Sequence, residues 1–437
     1  MKSTLKVHMR VIAMTLFIVT LLFCLNLGAF ADAESSDIPG IADSDDKQEN
    51  NAGTEPDGAD NVVTKPSSDT AGNDQSYILK CAEPGSLNLR CKSAILMEAS
   101  TGTVLYTQNE DERLPPASVT KIMTLLLVME AIDSGKISLA DKVSASANAA
   151  SMGGSQIYLK EGEEMTVEDL LKSVVICSAN DAAVALAEYV CGSEASFVTE
   201  MNKRAKELGM DNTVFENTNG LDDTVTNHVT SAEDIAIMSC ELIKHKKILE
   251  YSSRWMDTVR DGAFGLTNTN RLVRFYRGCT GLKTGSTSKA GFCVSVTAER
   301  EGMGLICVIM GAETRDIRNA EAASLLDWGF ANYGVYKADG ATDESLKVLG
   351  GRSNMCKTGH DGFLCVLPKS EIANVSFTKE ILPSLSAPVK AGETVGNITY
   401  KLGEKNIGSV EIKSIETVEK ISFFEFLGRM LAIFSLK

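Results

Sequence analysis

The stretch "SVTKIMTLLLVMEAID", residues 118–133, constrains the fold of this 437-residue chain more than any other. Pro115-Pro116 precedes it, Gly135 stops it, and wound as a helix it carries apolar side chains on nearly every face. Such a helix has no side to show to water, so it must lie in the middle of a domain with other elements packed around it. The flanking sequence supplies them. "SAILMEASTGTVLY" reads as a hairpin turning at Ser100-Thr101-Gly102, and "FCVSVTAER" and "GLICVIMGAE" read as strands joined by a charged turn. Helices are expected in "TVEDLLKSVV", "NDAAVALAEYV", "EASFVTEMNKRAKEL", "SAEDIAIMSCELIKH" and "RNAEAASLLDWGFANY". Helices mixed with adjacent strand pairs predict an α+β domain over residues 77–335.

Beyond Lys337 the pattern changes to short apolar runs broken by Gly, Pro and charge, which predicts a separate β-rich domain over residues 340–417. Alternation at Ile398, Tyr400 and Leu402, followed by a turn over 403–406, marks one of its hairpins. Residues 418–437 form a terminal helix in which Ser422, Glu425, Arg429, Ala432 and Ser435 make one narrow stripe and large apolar side chains cover the rest. Packing on the β domain is one use of that face. The preferred expectation is a helix lying in a membrane surface, because so wide an apolar face at a terminus has no obvious internal partner.

A polar pair stands at the start of the apolar helix. Ser118 and Lys121 are three residues apart and so share a face, which brings the amine within reach of the hydroxyl. Serine needs a base to become a nucleophile, and lysine can serve when burial, the helix dipole and a second cation favour its neutral form. Other Ser-x-x-Lys matches at Ser3, Ser44, Ser286 and Ser376 lie in segments of other kinds, and only Ser118 opens a buried helix. The plainer reading of the pair is a capping serine with a snorkelling lysine. Ser178-Ala179-Asn180, between two expected helices, offers a hydroxyl to relay a proton and an amide to hold a substrate carbonyl, or else an ordinary helix cap. Cys177 beside it reads as a small core residue, having no adjacent histidine. Lys283-Thr284-Gly285 precedes a strand whose edge would bind an extended peptide, with Lys283 and Thr284 meeting a carboxylate and the backbone near Ser118 and Ser286 stabilising an oxyanion. The same tripeptide recurs at Lys357-Thr358-Gly359, where "GHDG" suggests a hairpin turn.

Lys2, Lys6 and Arg10, the apolar run 11–27 and Ala29-Phe30-Ala31 make residues 1–31 a signal peptide, so the body is expected outside the cytoplasm. Residues 32–76 hold twelve Asp or Glu against two Lys and few large apolar side chains, the composition of a disordered spacer. That spacer carries much of the net charge of −15, and the remainder offers no basic surface for nucleic acid. Eleven cysteines, ten without Cys24, permit disulfides, with Cys81–Cys91 and Cys356–Cys365 the closest-spaced pairs. No CxxC and no HExxH occur, so no metal site and no cofactor are expected.

The ordered set SxxK, SxN and KTG resembles the penicillin-binding protein and serine β-lactamase superfamily, and "PPASVTKIMT", "SANDAAVALAE", "NTNGLD" and "GLKTGSTSKAGF" are similar to the D-alanyl-D-alanine carboxypeptidases. The resemblance spans residues 92–335. It implies a β-lactamase/transpeptidase-like fold with an antiparallel sheet flanked by helices, and a serine peptidase that removes the terminal D-alanine from peptidoglycan pentapeptide stems and is acylated by β-lactam antibiotics. It also implies roles: Ser118 the acylated nucleophile, Lys121 the general base, Ser178 the proton relay, and Asn180, Lys283, Thr284, Gly285 and Ser286 the substrate-binding set. Arg318 in "MGAETRDIR" matches by position an arginine that holds the terminal carboxylate, with Arg315 three residues away. His228 is taken as structural. A class A β-lactamase is the alternative among enzymes. It requires a glutamate to activate deacylating water, and Glu216 is the candidate, but Asn219 departs from the expected E-x-x-x-N spacing and Ala179 replaces the aspartate of SDN. A non-catalytic cell-wall binding protein on the same fold is the alternative outside catalysis.

Overall fold

The computed structural model describes residues 87–435 except residue 224. The expected signal peptide, the acidic spacer and Cys81 lie outside the described residues. Five antiparallel strands form the central sheet in the spatial order Val104–Gln108, Ser93–Glu98, Met303–Ala312, Gly291–Arg300 and Cys279–Thr287. Adjacent side chains on each strand go to opposite faces. Ile95, Met97, Ile306 and Val308 enter one core, while Ala94, Leu96, Leu305 and Cys307 enter a second. The long helix Arg315–Asn332 covers the second core with Ala322, Leu325, Leu326 and Phe330. Both faces of the sheet are therefore dry, which explains why these strands read as nearly unbroken apolar runs.

The first core is built around Lys121–Asp133, the helix whose sequence demanded enclosure. Ile122, Met123, Leu125, Leu126 and Val128 are all buried, on every face of the helix. Each such side chain contributes roughly 1.5–3 kcal/mol relative to exposure. Helices Asn180–Cys191 and Ala232–Lys244 pack against it and complete the enclosure. The apolar run does not begin as an α-helix: Ala117–Thr120 forms a 3₁₀ turn, entered through Ala117 at φ +50°. A left-handed conformation at a non-glycine residue costs of order 1–3 kcal/mol and persists only where its surroundings enforce it.

After Asn332 the chain pairs Tyr333–Ala338 with Phe363–Pro368 and builds a six-stranded sheet in the order Val375–Ile381, Thr394–Leu402, Lys405–Ser414, Met355–His360, Ala341–Leu349, Leu385–Ser386. The expected hairpin is present, with strands Thr394–Leu402 and Lys405–Ser414 meeting at a two-residue turn. Its core holds Phe363 stacked on Tyr400, with ring centroids 4.2 Å apart. Lys357-Thr358-Gly359 is not a turn. It lies inside Met355–His360, paired on both sides, because Gly359 stands opposite Thr342 on one neighbour and Lys413 on the other. Cys356 and Cys365 are free thiols, as are all nine cysteines among the described residues.

The terminal helix Phe423–Ser435 is tied through two residues of its polar stripe to Arg352, just beyond strand Ala341–Leu349. Glu425 pairs with Arg352 at 3.2 Å, and Arg429 donates to the Arg352 carbonyl. Phe423, Phe424, Phe426, Leu431 and Ile433 remain exposed. Among the described residues no helix is long and apolar enough to cross a membrane.

Candidate active site

Ser118 sits in the 3₁₀ turn, against the edge strand Cys279–Thr287. The approach is so close that a Cβ added to Gly285 would lie 2.8 Å from the Ser118 backbone nitrogen and 2.9 Å from the Pro116 carbonyl oxygen. Only glycine allows the strand to lie there. From the other side, the loop 217–221 presses on the same turn. A Cβ on Gly220, at φ +82°, would fall 1.8 Å from the Ala117 carbonyl oxygen. The Ser118 turn is thus held between two backbones.

Lys121 is fully buried and its Nζ has three partners: Ser118 Oγ at 3.0 Å, Asn180 Oδ1 at 2.6 Å and the Asn219 carbonyl at 2.7 Å. Burial, reinforced by the Lys283 cation, holds its pKa well below that of an ordinary lysine. A neutral amine has two hydrogens and one lone pair. The two carbonyl oxygens can only accept, so they take both hydrogens, and the lone pair is left facing the one partner that can donate, the Ser118 hydroxyl.

Ser178 ends a π-helical turn, Ser173–Cys177, and adopts φ +65°. That left-handed kink carries its Oγ to Lys283, whose Nζ donates to it at 2.8 Å and to the Thr284 carbonyl at 2.9 Å. Burial pushes Lys283 down to about 7. Asn180 gives Oδ1 to Lys121 and donates from Nδ2 to the Gly153 carbonyl at 2.7 Å. Asp181, buried, accepts from the Ile157 and Leu159 amides and so fixes the loop that Asn180 also holds. Thr284 Oγ1 bonds Thr269 Oγ1 at 2.8 Å. Cys177 is a packed thiol, pushed up to about 11 by burial.

His228 supports the turn from behind. The Glu216 amide donates to its Nδ1, so Nε2 carries the hydrogen and meets Thr120 Oγ1 at 2.7 Å, and that hydroxyl in turn donates to the Ala117 carbonyl. Burial lowers the ring's pKa to about 4, so it remains neutral. Glu216 is exposed and its carboxylate accepts from the Thr226 and Asn227 amides; it does not line the cleft. The glutamate that a class A β-lactamase would need is engaged elsewhere.

Ser118, Ser178, Thr284, Gly285, Ser286 and Arg318 line one cleft of about 590 Å³. Arg318 is almost fully buried there, and burial together with Arg315 pushes it down to about 10. Its Nε and Nη2 both donate to Asn319 Oδ1. Three further groups at the site lie outside the motifs read from the sequence: the Asn219 carbonyl, the Asn268–Asn270 turn and Arg271. A main-chain acceptor carries no residue signature, but the paired asparagines of "NTN" at 268–270 are a turn signal that was available.

A serine hydrogen-bonded to a buried lysine, beside a free strand edge, is the arrangement of a penicillin-recognising serine peptidase fold. The family model for D-alanyl-D-alanine carboxypeptidase matches residues 80–314, and that for the penicillin-binding protein 5 C-terminal domain matches 330–420. The chain belongs to the D-alanyl-D-alanine carboxypeptidase family. It is 42% identical over 348 residues to the D-alanyl-D-alanine carboxypeptidase DacF of Bacillus subtilis, covering 78% of this chain and 89% of that protein. Among solved structures, penicillin-binding protein 5 of Haemophilus influenzae superposes with a TM-score of 0.66 at 32% identity, over 76% of this chain and 98% of that one. Penicillin-binding protein D2 of Listeria monocytogenes in its ampicillin-bound form gives 0.52 at 35% identity, over 56% of this chain and 99% of that one.

Proposed function

We propose that this carboxypeptidase removes the terminal D-alanine from peptidoglycan pentapeptide stems through an acyl-enzyme on Ser118. The observation that carries the reading is the Lys121 hydrogen-bond set, which leaves a lone pair aimed at the Ser118 hydroxyl. Lys121 takes the Ser118 proton as Oγ attacks the carbonyl of the penultimate D-alanine. The oxyanion forms between the backbone N–H groups of Ser118 and Ser286. Ser178, backed by Lys283, relays that proton from Lys121 to the departing amine, the C–N bond breaks, D-alanine leaves and Lys121 is neutral again. Water then attacks the ester with the same base, restoring the Ser118 hydroxyl and releasing the shortened stem.

Substrate binding follows from the edge strand. The stem lies along Cys279–Thr287, which has a partner on one side only. Gly285 keeps the strand close to Ser118. The remaining N–H of the Asn180 amide meets a substrate carbonyl, and Thr284, Lys283 and Arg318 meet the terminal carboxylate. β-Lactam antibiotics enter the same cleft and acylate the same oxygen. We place the protein outside the cytoplasm, on the membrane's outer face. The terminal helix supports this, since its polar stripe is tied to Arg352 while Phe424, 82% exposed, and its apolar neighbours point away.

The test incubates the purified protein with a diacylated peptide ending in D-Ala-D-Ala and measures D-alanine. Wild type is expected to release it and Ser118→Ala to lose at least about a thousandfold in rate. Mass spectrometry of the β-lactam-treated protein should place the adduct on residue 118. An adduct elsewhere, or no release, would overturn the reading.

A further inference from the structure

The cleft is strongly electropositive for a chain of net charge −15. No Asp or Glu lines it, whereas three arginines do: Arg318 on its floor, and Arg271 and Arg315, both exposed. Arg204, Arg254, Arg260, Arg300 and Arg352 each pair with a carboxylate, and exposed Arg90, Arg113 and Arg277 line no part of this cleft. The guanidinium groups of Arg271 and Arg315 have no hydrogen-bonded or ionic partner among the described residues. Three guanidinium groups gathered at one wall exceed what a neutral peptide backbone can use, and mutual repulsion costs free energy unless an anion joins them.

Arg318 alone cannot serve that anion fully. Its Nε and Nη2 are drawn to Asn319, and Nη1 lies 3.4 Å from the Cys293 carbonyl, so much of its donor fork is committed to the protein. Arg271 stands on a backbone built to be rigid. Asn268 and Asn270 are buried. Asn268 donates to the Ser252 and Arg254 carbonyls and accepts from the Asn270 amide, and Asn270 donates to the Gly281 carbonyl in the KTG strand. Asn270 Oδ1 also accepts from the Leu272 amide, fixing the turn from which Arg271 projects. Arg271 is thereby locked to the strand that presents the substrate, while Arg315 opens the helix whose next turn holds Arg318.

We infer that Arg271 and Arg315 are specificity-determining residues that, with Arg318, collect the free carboxylate of the leaving residue and reject chains whose C-terminus is blocked or extended. This rests on the carboxypeptidase reading above. Arg271 and Arg315, being solvated, draw the anion in, and the carboxylate then settles toward Arg318 and Thr284 on the cleft floor. The arrangement makes the enzyme an exopeptidase by electrostatics, because an amide at the same position has no charge to give the cluster.

The test compares wild type with the Arg271→Gln, Arg315→Gln and double variants on two peptides, one ending in D-Ala-D-Ala and the other in the corresponding C-terminal carboxamide. The double variant is expected to lose about tenfold in kcat/KM on the free acid, carried by KM, while the carboxamide changes by less than about twofold, so that discrimination shrinks about tenfold. Wild-type kcat/KM on the free acid should fall with added salt, and the double variant should flatten that slope. Arg271→Lys, which keeps the charge, should keep the slope. Thermal unfolding of each variant monitors folding. Discrimination and salt slope unchanged in the double variant, or equal loss on both peptides, would overturn the inference alone. Wild type that releases no D-alanine would sink the carboxypeptidase reading and this inference with it.

Discussion

Two copies of Lys-Thr-Gly occur in this chain, both in antiparallel strands, and they differ in burial, in packing and in pairing. Lys283 is buried against Ser178 and its pKa is pushed down to about 7, whereas Lys357 is exposed. Gly285 lets a strand close on the Ser118 turn, while a Cβ on Gly359 would meet the Ala341 carbonyl and Ile415, each at 3.0 Å. The first copy stands on a sheet edge and the second is paired on both sides. We read the first copy as the substrate site because its strand has an unpaired side that faces Ser118.

That contrast can be broken by exchanging equivalent residues. The largest expected effect is from Lys283→Ala, which should lower kcat/KM for D-alanine release about a hundredfold or more, while Lys357→Ala stays within about twofold. Comparable losses from both would mean that the second copy also serves the reaction. Next in size is the glycine pair. Gly285→Ala should slow acylation by a β-lactam about tenfold by pushing the strand off Ser118, because backbone atoms and not a flexible side chain meet the new methyl. Gly359→Ala should leave acylation alone and cost about 1 kcal/mol of stability, read by denaturant unfolding.

The smallest effect sharpens the comparison through pH. Acylation requires neutral Lys121, so its rate rises as pH climbs through that residue's pKa, which burial and the Lys283 cation hold low. Removing Lys283 lets Lys121 keep its proton to higher pH, and the acid limb of the acylation profile should move up. The push comes from protonated Lys283, so it is strongest below about 7, where that residue is charged, and fades above it. Lys357→Ala should leave the limb in place.

Much of the site was legible because its chemistry is written in side chains at local spacings. Ser118 and Lys121 announce each other across one turn, and the buried helix they open was forced by its own composition. The second Lys-Thr-Gly was misread as a turn because Gly359 and the following His360-Asp361-Gly362 punctuate the sequence, while the pairing that makes it a strand comes from residues 341–349 and 405–414. Lys121's third partner was invisible for a different reason: Asn219 contributes a carbonyl, which every residue has. Arg271 escaped notice since its position depends on two buried asparagines gripping strands and loops distant in the chain.

The wedge at Gly220 has a mechanical result. With the Ala117 carbonyl pressed against that residue and Ala117 itself held at φ +50°, the turn that carries the Ser118 oxygen has little room to shift. The freedom that a surface serine would surrender at every turnover is surrendered here once, as the chain folds. A methyl group placed on a residue that has no side chain of its own would therefore shift the Ser118 turn and register in an assay as slower acylation, by less than the loss expected from Lys283→Ala.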